Sequence, residues 1–421
     1  MKKLNVKIHF NNDQSYNAGT LFLSEKTGKF HFDYDKSFIS TGLNISPFNL
    51  KVDSISHVAQ SNPDFYDLHG VFADSLPDDW GRRVQDLEFS KIGIDDPTAI
   101  DRLAFIGRYG IGALCYEPSH EFELGEQIVT HADLRKATQR IIEGNCEEVT
   151  EQLLHSGGSA GGMRPKFLVD LDIINLDKMR YTTGRPDGNF FPVIIKTPGK
   201  DGDRYQRIEY TYSRIAKNCG INIPDTYLIT GPKSDQAFFV IKRFDVLEKG
   251  ERLHVHTYAG LHGLNFREVS HDYSDLLRTI QEISRDHNQV IEAYRRMVFN
   301  FIGYNCDDHL KNFSFVMNKK GEWSLSPAYD MSYSTGRQGY HAMSLNGVRS
   351  NATVKDFEKM ARNFNVKTWK EIVSEICEGF KEFPSLAKKF GIPEKNRDTV
   401  NNKIKENIKR IEKDLSIDLD I

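Results

Sequence analysis

The 421-residue chain lacks several features that would assign it to a class at once. No apolar stretch follows the basic residues at its N-terminus, so the sequence predicts no signal peptide. No apolar run approaches the length of a membrane span. The five cysteines are odd in number, scattered and without metal-ligand spacing, so a disulfide framework is not expected. These absences favour a protein of the reducing cytoplasm.

The chain also lacks a dominant charge sign, internal repeats and low-complexity tracts. Its net charge of -3 gives no global indication of binding to nucleic acid or to an anionic membrane. A hydrophobic content of 39% and a charged content of 27% are typical of soluble globular proteins. The length is sufficient for two or three domains with a substantial core.

Residues 301–333 indicate phosphoryl-transfer chemistry. Asp307 lies five residues before Asn312, and two short strands joined by a polar turn then lead to Asp330. Transfer from ATP needs one carboxylate at the attacking hydroxyl, and an amide oxygen and a second carboxylate on Mg²⁺. Protein kinases carry these groups in this order, although the usual His-Arg-Asp and Asp-Phe-Gly motifs are absent from this sequence. We predict that Asp307 is catalytic and that Asn312 and Asp330 hold the metal.

Two other interpretations of this segment remain open. Asp and Asn residues in loops often only bond their own backbone. A metal-dependent hydrolase would use Asp307, Asp308 and His309 as ligands, although three adjacent residues cannot all face one ion without strain.

A phosphate-binding loop is predicted at residues 156–166, where four glycines and two serines precede an apolar strand. Backbone N–H groups without neighbouring side chains can approach phosphate oxygens, although a flexible loop is the alternative. Lys196 ends the apolar strand 190–196 and needs an anionic partner if it is buried. ATP phosphates and Glu209, which begins the next predicted helix, are the candidates, with a solvated lysine and a solvated glutamate as alternatives.

The remaining pattern predicts an α+β fold in three segments. Alternating apolar residues predict strands in residues 1–60, Thr130 and Asp133 predict a capping box, and the chain becomes mainly helical after about residue 246. Glycines interrupt residues 105–118, which is typical of a turn between packed elements. A Walker-type phosphate-binding loop is not predicted there, because no Lys-Ser/Thr pair follows the glycines. We predict an N-terminal α+β subdomain (1–122), a lobe with the glycine-rich loop (123–245) and a helical lobe (246–421).

Eight stretches, spread over most of the chain in one order, resemble the HipA family of serine/threonine kinase toxins from bacterial type II toxin–antitoxin modules. They are SLPDDWGRRV (75–84), IGRYGIGAL (106–114), SGGSAGGMRPK (156–166), VIIKTPG (193–199), IEYTYSRIAKNCGI (208–221), VIKRFD (240–245), NCDDHLKNFSF (305–315) and LSPAYDMS (325–332). The resemblance implies a small β-rich N-terminal subdomain fused to a two-lobed, protein-kinase-like domain with a mainly helical C-terminal lobe.

The resemblance also implies roles for individual residues. Asp307 matches the catalytic base, and Asn312 and Asp330 match the Mg²⁺ ligands. The nucleotide-binding positions that it implies are Ser159, Ala160, Gly161, Gly162, Lys196, Arg243, Phe244, Asp245, His309 and Asn312. Ser159 matches the autophosphorylated serine that shuts the kinase off, with Ser156 as the runner-up.

The implied cofactors are ATP and Mg²⁺, and the implied partner is a small helix-turn-helix antitoxin similar to HipB. DNA would be bound only through that antitoxin. The protein substrate implied by analogy is an aminoacyl-tRNA synthetase or another translation protein. The alternative function is a nucleotide-sensing binding module or corepressor with little phosphoryl transfer.

Two positions depart from the family pattern. The catalytic loop reads Cys-Asp-Asp-His, where many relatives have Thr-Asp-Arg-His or Thr-Asp-Gly-His. Asp308 is therefore expected either to disfavour ionisation of Asp307 or to recruit a second Mg²⁺. Lys242 stands where an acidic residue is frequent, so backbone groups are expected to make most of the adenine contacts.

Overall fold

A computed structural model describes residues 3–119, 127–145, 149–158, 164–230, 236–268 and 271–418 of the chain, with side chains as far as residue 413. It is a mixed α/β structure, as predicted. The strands in chain order are β1 (Lys3–Asn11), β2 (Gln14–Leu23), β3 (Phe30–Tyr34), β4 (His57–Val58), β5 (Leu114–Glu117), β6 (Ile128–Val129), β7 (Lys166–Asp172), β8 (Met179–Tyr181), β9 (Phe190–Lys196), β10 (Thr226–Thr230), β11 (Ala237–Lys242), β12 (His254–Thr257), β13 (Ser314–Met317) and β14 (Trp323–Leu325).

The α-helices follow the same chain order. They are α1 (Lys36–Ile39), α2 (Gly70–Ala73), α3 (Asp79–Lys91), α4 (Ala99–Ile106), α5 (His131–Glu143), α6 (Glu151–Gly158), α7 (Arg204–Asn218), α8 (Tyr258–His262), α9 (Tyr273–Ser284), α10 (His287–Ile302), α11 (Val354–Asn363), α12 (Trp369–Lys381), α13 (Phe383–Lys389) and α14 (Glu394–Asp418). No helix in the described ranges combines the length and apolar character that crossing a membrane requires.

The chain divides into two compact units that are discontinuous in sequence. The first comprises Met1–Asp203, Ile229–Leu264 and Ser314–Trp323, and the second comprises Arg204–Leu228, Asn265–Phe313 and Ser324–Ile421. The three segments predicted from the sequence follow different boundaries and stay a prediction.

The first unit contains most of the β-structure. Its N-terminal sheet has the order β4-β3-β2-β1-β5, and β1 buries Leu4, Val6, Ile8 and Phe10 on one face because strand side chains alternate. A second sheet has the order β10-β11-β9-β7-β8-β6. In that sheet Lys166 of β7 lies directly opposite Lys196 of β9.

The second unit is built around helix α10. Asp286 caps its N-terminus by accepting from the Asn288 amide, and the side chains of Met297, Val298 and Phe299 are fully buried. A helix with apolar residues on nearly every side must lie inside a domain. It delivers the chain into the loop that carries Asp307, as the helical spacing predicts.

Several local predictions are confirmed and two are wrong. The capping box at Thr130 and Asp133 is present, and the glycine stretch after α4 forms the turn that leads to β5. Helix α7 begins at Arg204, earlier than the predicted start at Glu209. The predicted phosphate loop does not start at residue 156, because helix α6 continues through Gly158.

Candidate active site

Asp307 occupies an exposed position in the loop between α10 and β13. Its side chain is 65% exposed, whereas the neighbouring Cys306 and Asp308 are buried. A single helical turn, Leu310–Asn312, follows and returns the chain to β13. The fold therefore presents one carboxylate to solvent from a loop whose flanking residues are fixed.

Asn312 is bonded to the backbone of Asp307. The Asn312 Nδ2 donates to the Asp307 carbonyl oxygen at 2.7 Å. Because this bond uses the amide nitrogen, the amide oxygen points away from the carbonyl and is available to a cation. The five-residue spacing seen in the sequence thus brings the two predicted residues together.

Asp330 is tied to the same loop through Tyr329, whose hydroxyl donates to the Lys311 carbonyl at 2.7 Å. The Ala328 amide donates to the carbonyl of Asn222, on a different segment, at 2.7 Å. Asp330 itself has a φ of 53°, a backbone conformation that L-residues other than Asn and Asp seldom adopt. Carboxylate and amide oxygens suit Mg²⁺, which usually keeps additional water and phosphate ligands, so Asn312 and Asp330 fit the predicted ion.

Basic side chains gather around the ring of Phe266 beside this loop. The Lys311 ammonium and the Arg267 guanidinium each lie 4.6 Å from the ring centroid, and the His309 ring lies at 5.5 Å. His309 Nε2 is 4.0 Å from the Asp307 carboxylate, and its buried Nδ1 has no hydrogen-bond partner within the described part of the chain. This positive cluster can complement an anionic group near Asp307.

Asp308 does not fit one of its two predicted roles, the recruitment of a second Mg²⁺, whereas its predicted effect on the ionisation of Asp307 stays a prediction. Its carboxylate is buried and accepts from the Tyr273 hydroxyl at 2.7 Å, His341 Nδ1 at 2.9 Å and the Ala342 amide at 2.8 Å. A carboxylate with its lone pairs in use inside the protein cannot recruit a second Mg²⁺. Among the described residues no group of three His, Cys, Asp or Glu side chains could hold a metal ion, which also speaks against the hydrolase interpretation.

In the first unit, Lys196 is buried at the end of β9, as predicted. Its ammonium lies 5.5 Å from the ring centroid of Phe239. Lys166 is its direct partner across the antiparallel pair and is also buried. Two ammonium groups at facing strand positions can both donate to phosphate oxygens. Sequence reasoning did not predict a role for Lys166.

Glu209 lies buried on α7 in the second unit. Its pairing with Lys196 stays a prediction.

The side chains of Arg243 and Asp245 form a buried ion pair. Asp245 accepts from Arg243 Nε at 3.0 Å, from Arg243 Nη2 at 2.6 Å and from the Gly112 amide at 2.7 Å, and Arg252 lies 3.7 Å away. Burial alone would raise the pKa of Asp245, but the charges of Arg243 and Arg252 and these bonds hold it below its ordinary value.

Neither side chain faces solvent, so the expectation that both contact the nucleotide does not fit this placement. Phe244 is half-buried, and its predicted role stays open. The Lys242 ammonium lies 4.9 Å from the ring centroid of Phe191.

The two predicted phosphorylation positions differ in what the structure describes. Ser159, Ala160, Gly161 and Gly162 lie outside the described residues. Ser156 lies in α6, where its buried hydroxyl donates to the Leu168 carbonyl at 2.6 Å. Because that hydroxyl is inaccessible, Ser156 is a poor acceptor and the runner-up prediction is corrected.

The glycines at the end of α6 serve packing. A Cβ at Gly158 would lie 2.9 Å from the ring of Phe105.

The family models match two parts of the chain. The HipA N-terminal domain model matches residues 9–117, and the HipA-like C-terminal domain model matches residues 158–383. The chain belongs to the HipA-like family.

Two curated relatives share partial similarity with the chain. A Haemophilus influenzae protein named "Putative kinase" is 28% identical over 188 residues, which cover 41% of this chain and 52% of that protein. A Sinorhizobium fredii protein named "Putative kinase Y4dM" is 28% identical over 151 residues, covering 33% of this chain and 36% of that protein. The chain therefore spans about half or less of the length of these relatives.

A solved structure matches nearly the whole chain. It is the Shewanella oneidensis MR-1 complex of HipA, HipB and operator DNA, which matches with a TM-score of 0.70 at 16% identity, covering 98% of this chain and 97% of that one. At this identity the match establishes the HipA fold alone.

Proposed function

We propose that this HipA-like protein is an ATP- and Mg²⁺-dependent serine/threonine protein kinase. The observation that carries the proposal is the exposed Asp307 carboxylate on a loop whose Asn312 amide is bonded to the Asp307 carbonyl. Family membership and the kinase names of two partial relatives support the same reaction class.

The proposed reaction assigns one task to each residue. Asp307 accepts the proton of a substrate serine or threonine hydroxyl as its oxygen bonds to the γ-phosphorus, and the bond from that phosphorus to the β-phosphate oxygen breaks to release ADP. Asn312 and Asp330 would hold Mg²⁺, which neutralises phosphate charge when bound. Lys196 and Lys166 would bind phosphate oxygens, and His309 would face the transferred phosphoryl group.

The proposed biological role is that of a toxin in a toxin–antitoxin module, held in check by a small HipB-like antitoxin. Phosphorylation of Ser159 would inactivate the kinase, since a phosphate adds about −1.5 to −2 charges near a site that must hold ATP phosphates. The target would be a translation protein such as an aminoacyl-tRNA synthetase. A cytoplasmic location follows from that target.

Intact-mass analysis after incubation with ATP and Mg²⁺ tests the chemistry. The wild type should gain one phosphate at Ser159, Asp307→Gln should gain none, and Ser159→Ala should gain none while it still phosphorylates a protein substrate. Ser156→Ala is the matched control and should gain the phosphate as the wild type does, because its hydroxyl is buried. The starting mass identifies protein that is already phosphorylated. ATP binding without any phosphorylated product would favour the nucleotide-sensing module instead.

A further inference from the structure

The carboxylate of Asp308 joins the catalytic loop to a segment far downstream in the chain. Oδ2 accepts from the Tyr273 hydroxyl at 2.7 Å and from His341 Nδ1 at 2.9 Å. Oδ1 accepts from the amides of Ala342 at 2.8 Å and Met343 at 3.4 Å. Four donors therefore surround a side chain that is fully buried.

The residues that hold Asp308 are themselves fixed. Asn300 of α10 donates to the Tyr273 hydroxyl at 3.0 Å, and Asn305 donates to the Asn300 side-chain oxygen at 3.0 Å. The His341 ring stacks on Phe301 with 3.9 Å between ring centroids. The network thus connects α9, α10 and the loop through side chains that cannot move independently.

The backbone of the loop is tied to the same downstream segment. The Cys306 amide donates to the Ser334 carbonyl at 3.0 Å, and the Ala342 amide approaches the Cys306 carbonyl at 3.1 Å. Asp307 lies between Cys306 and Asp308, two buried and bonded residues, while its own side chain is exposed. The direction of the Asp307 side chain is therefore set by the anchoring of its neighbours.

Protein kinases with a His-Arg-Asp loop carry a basic residue next to the catalytic aspartate, and phosphorylation orders the activation loop through new arginine pairs. Here the residue before Asp307 is Cys306, which is buried and uncharged. Cys306 therefore cannot form an ion pair with a phosphorylated residue of the downstream segment. The Asp308 carboxylate instead binds the 341–343 backbone and side chain directly.

We propose that Asp308 is a positioning residue that holds Asp307 in its working geometry by fixing the catalytic loop to residues 341–343. This inference rests on the proposed kinase function. It implies that the loop assembles without phosphorylation of residues 331–340, because the Asp308 carboxylate already fixes the loop to residues 341–343.

The test compares Asp308→Asn with Asp272→Asn in the full chain. Asp272 is a matched control, since it accepts from Ser344 Oγ at 2.6 Å and from the Ser274 and Gly347 amides at 2.9 Å each. These bonds hold a nearby part of the same segment and do not involve the loop. The rate at which a protein substrate is phosphorylated is divided by the concentration of kinase molecules that bind nucleotide. That concentration is measured by titration with MgADP. Asp308→Asn should lower kcat about 10- to 100-fold with the KM for ATP nearly unchanged. Asp272→Asn should lower the melting temperature and keep kcat within about twofold.

Equal kcat for Asp308→Asn and wild type would overturn the proposal, because a purely structural carboxylate affects only the folded fraction. If Asp308→Asn does not fold, Tyr273→Phe removes a single donor and should still lower kcat, whereas a wild-type kcat would again refute positioning. Activity confined to molecules phosphorylated within 331–340, identified by mass, would also refute it. An inactive wild type would be a failure of the kinase proposal itself, visible before any variant is compared.

Discussion

Replacing Asn312 tests the loop geometry most directly. Asn312→Ala removes both the amide nitrogen that donates to the Asp307 carbonyl at 2.7 Å and the amide oxygen proposed to bind Mg²⁺. Asn312→Asp keeps an oxygen for the metal but turns the donor into an acceptor facing that carbonyl. The two variants therefore separate the metal-binding role from the positioning role.

The structure sets the scale of both effects. The bond to Asp307 is exposed, so water replaces it in Asn312→Ala, and its loss should cost less than about 1 kcal/mol of folding free energy. Loss of the metal oxygen together with a shift of Asp307 should cost about 3 to 4 kcal/mol in the transition state, or roughly 100- to 1,000-fold in kcat. Asn312→Asp retains the metal oxygen, and we expect a loss of about tenfold in kcat with an unchanged Mg²⁺ requirement.

The assay is steady-state phosphorylation of a protein substrate over a titration of Mg²⁺, with thermal melting of each variant in parallel. Asn318→Ala is the control, because Asn318 also makes exposed hydrogen bonds, in the turn after β13, and is not part of the proposed site. A kcat for Asn312→Ala within about twofold of the wild type would refute the kinase geometry. That result would show that phosphoryl transfer does not need this amide and that Asn312 is not a ligand of the catalytic metal.

Two further predictions concern the first unit. Lys166→Met should raise the Kd for ATP about tenfold, because it removes one of two buried ammonium groups proposed to bind phosphate oxygens; unchanged ATP binding in calorimetry would exclude Lys166 from the site. Asp245→Asn should lower the free energy of unfolding by about 3 to 5 kcal/mol, since it leaves Arg243 buried without its anion. Because the pKa of Asp245 lies below its ordinary value in the folded protein, its contribution is complete above the unfolded pKa of about 4 and is lost as pH falls further. A wild-type denaturation curve for Asp245→Asn at pH 7 would contradict this account.

The order of elements around Asp307 could be predicted because it depends on local patterns. The apolar spacing of α10, the short strand β13 and the polar turn after it are all properties of neighbouring residues. The five-residue separation of Asp307 and Asn312 is likewise local, and one turn of helix is enough to bring them together. The same holds for the capping box at Thr130 and for the alternation in β1.

The roles of Asp245 and Asp308 could not be predicted, because each depends on partners that are distant in sequence. Asp245 meets the amide of Gly112, and Asp308 meets Tyr273 and His341. No local pattern distinguishes a carboxylate that binds a metal or ribose from one that binds buried donors. The opposition of Lys166 and Lys196 likewise depends on strand register, which the sequence between them does not specify.

The two adjacent carboxylates of the catalytic loop have different roles because one is exposed and the other is buried. Asp307 and Asp308 are identical in chemistry, yet one is 65% exposed and the other is fully buried beneath four donors. A buried charge with every lone pair used is costly to move, whereas an exposed carboxylate lies where a substrate hydroxyl can approach it. If both were exposed, the two carboxylates would repel each other. The loop would also lack the buried hydrogen bonds of Asp308 that hold Asp307 in position. The second aspartate therefore supplies rigidity to the first, and the chemistry proposed for Asp307 depends on the burial of Asp308.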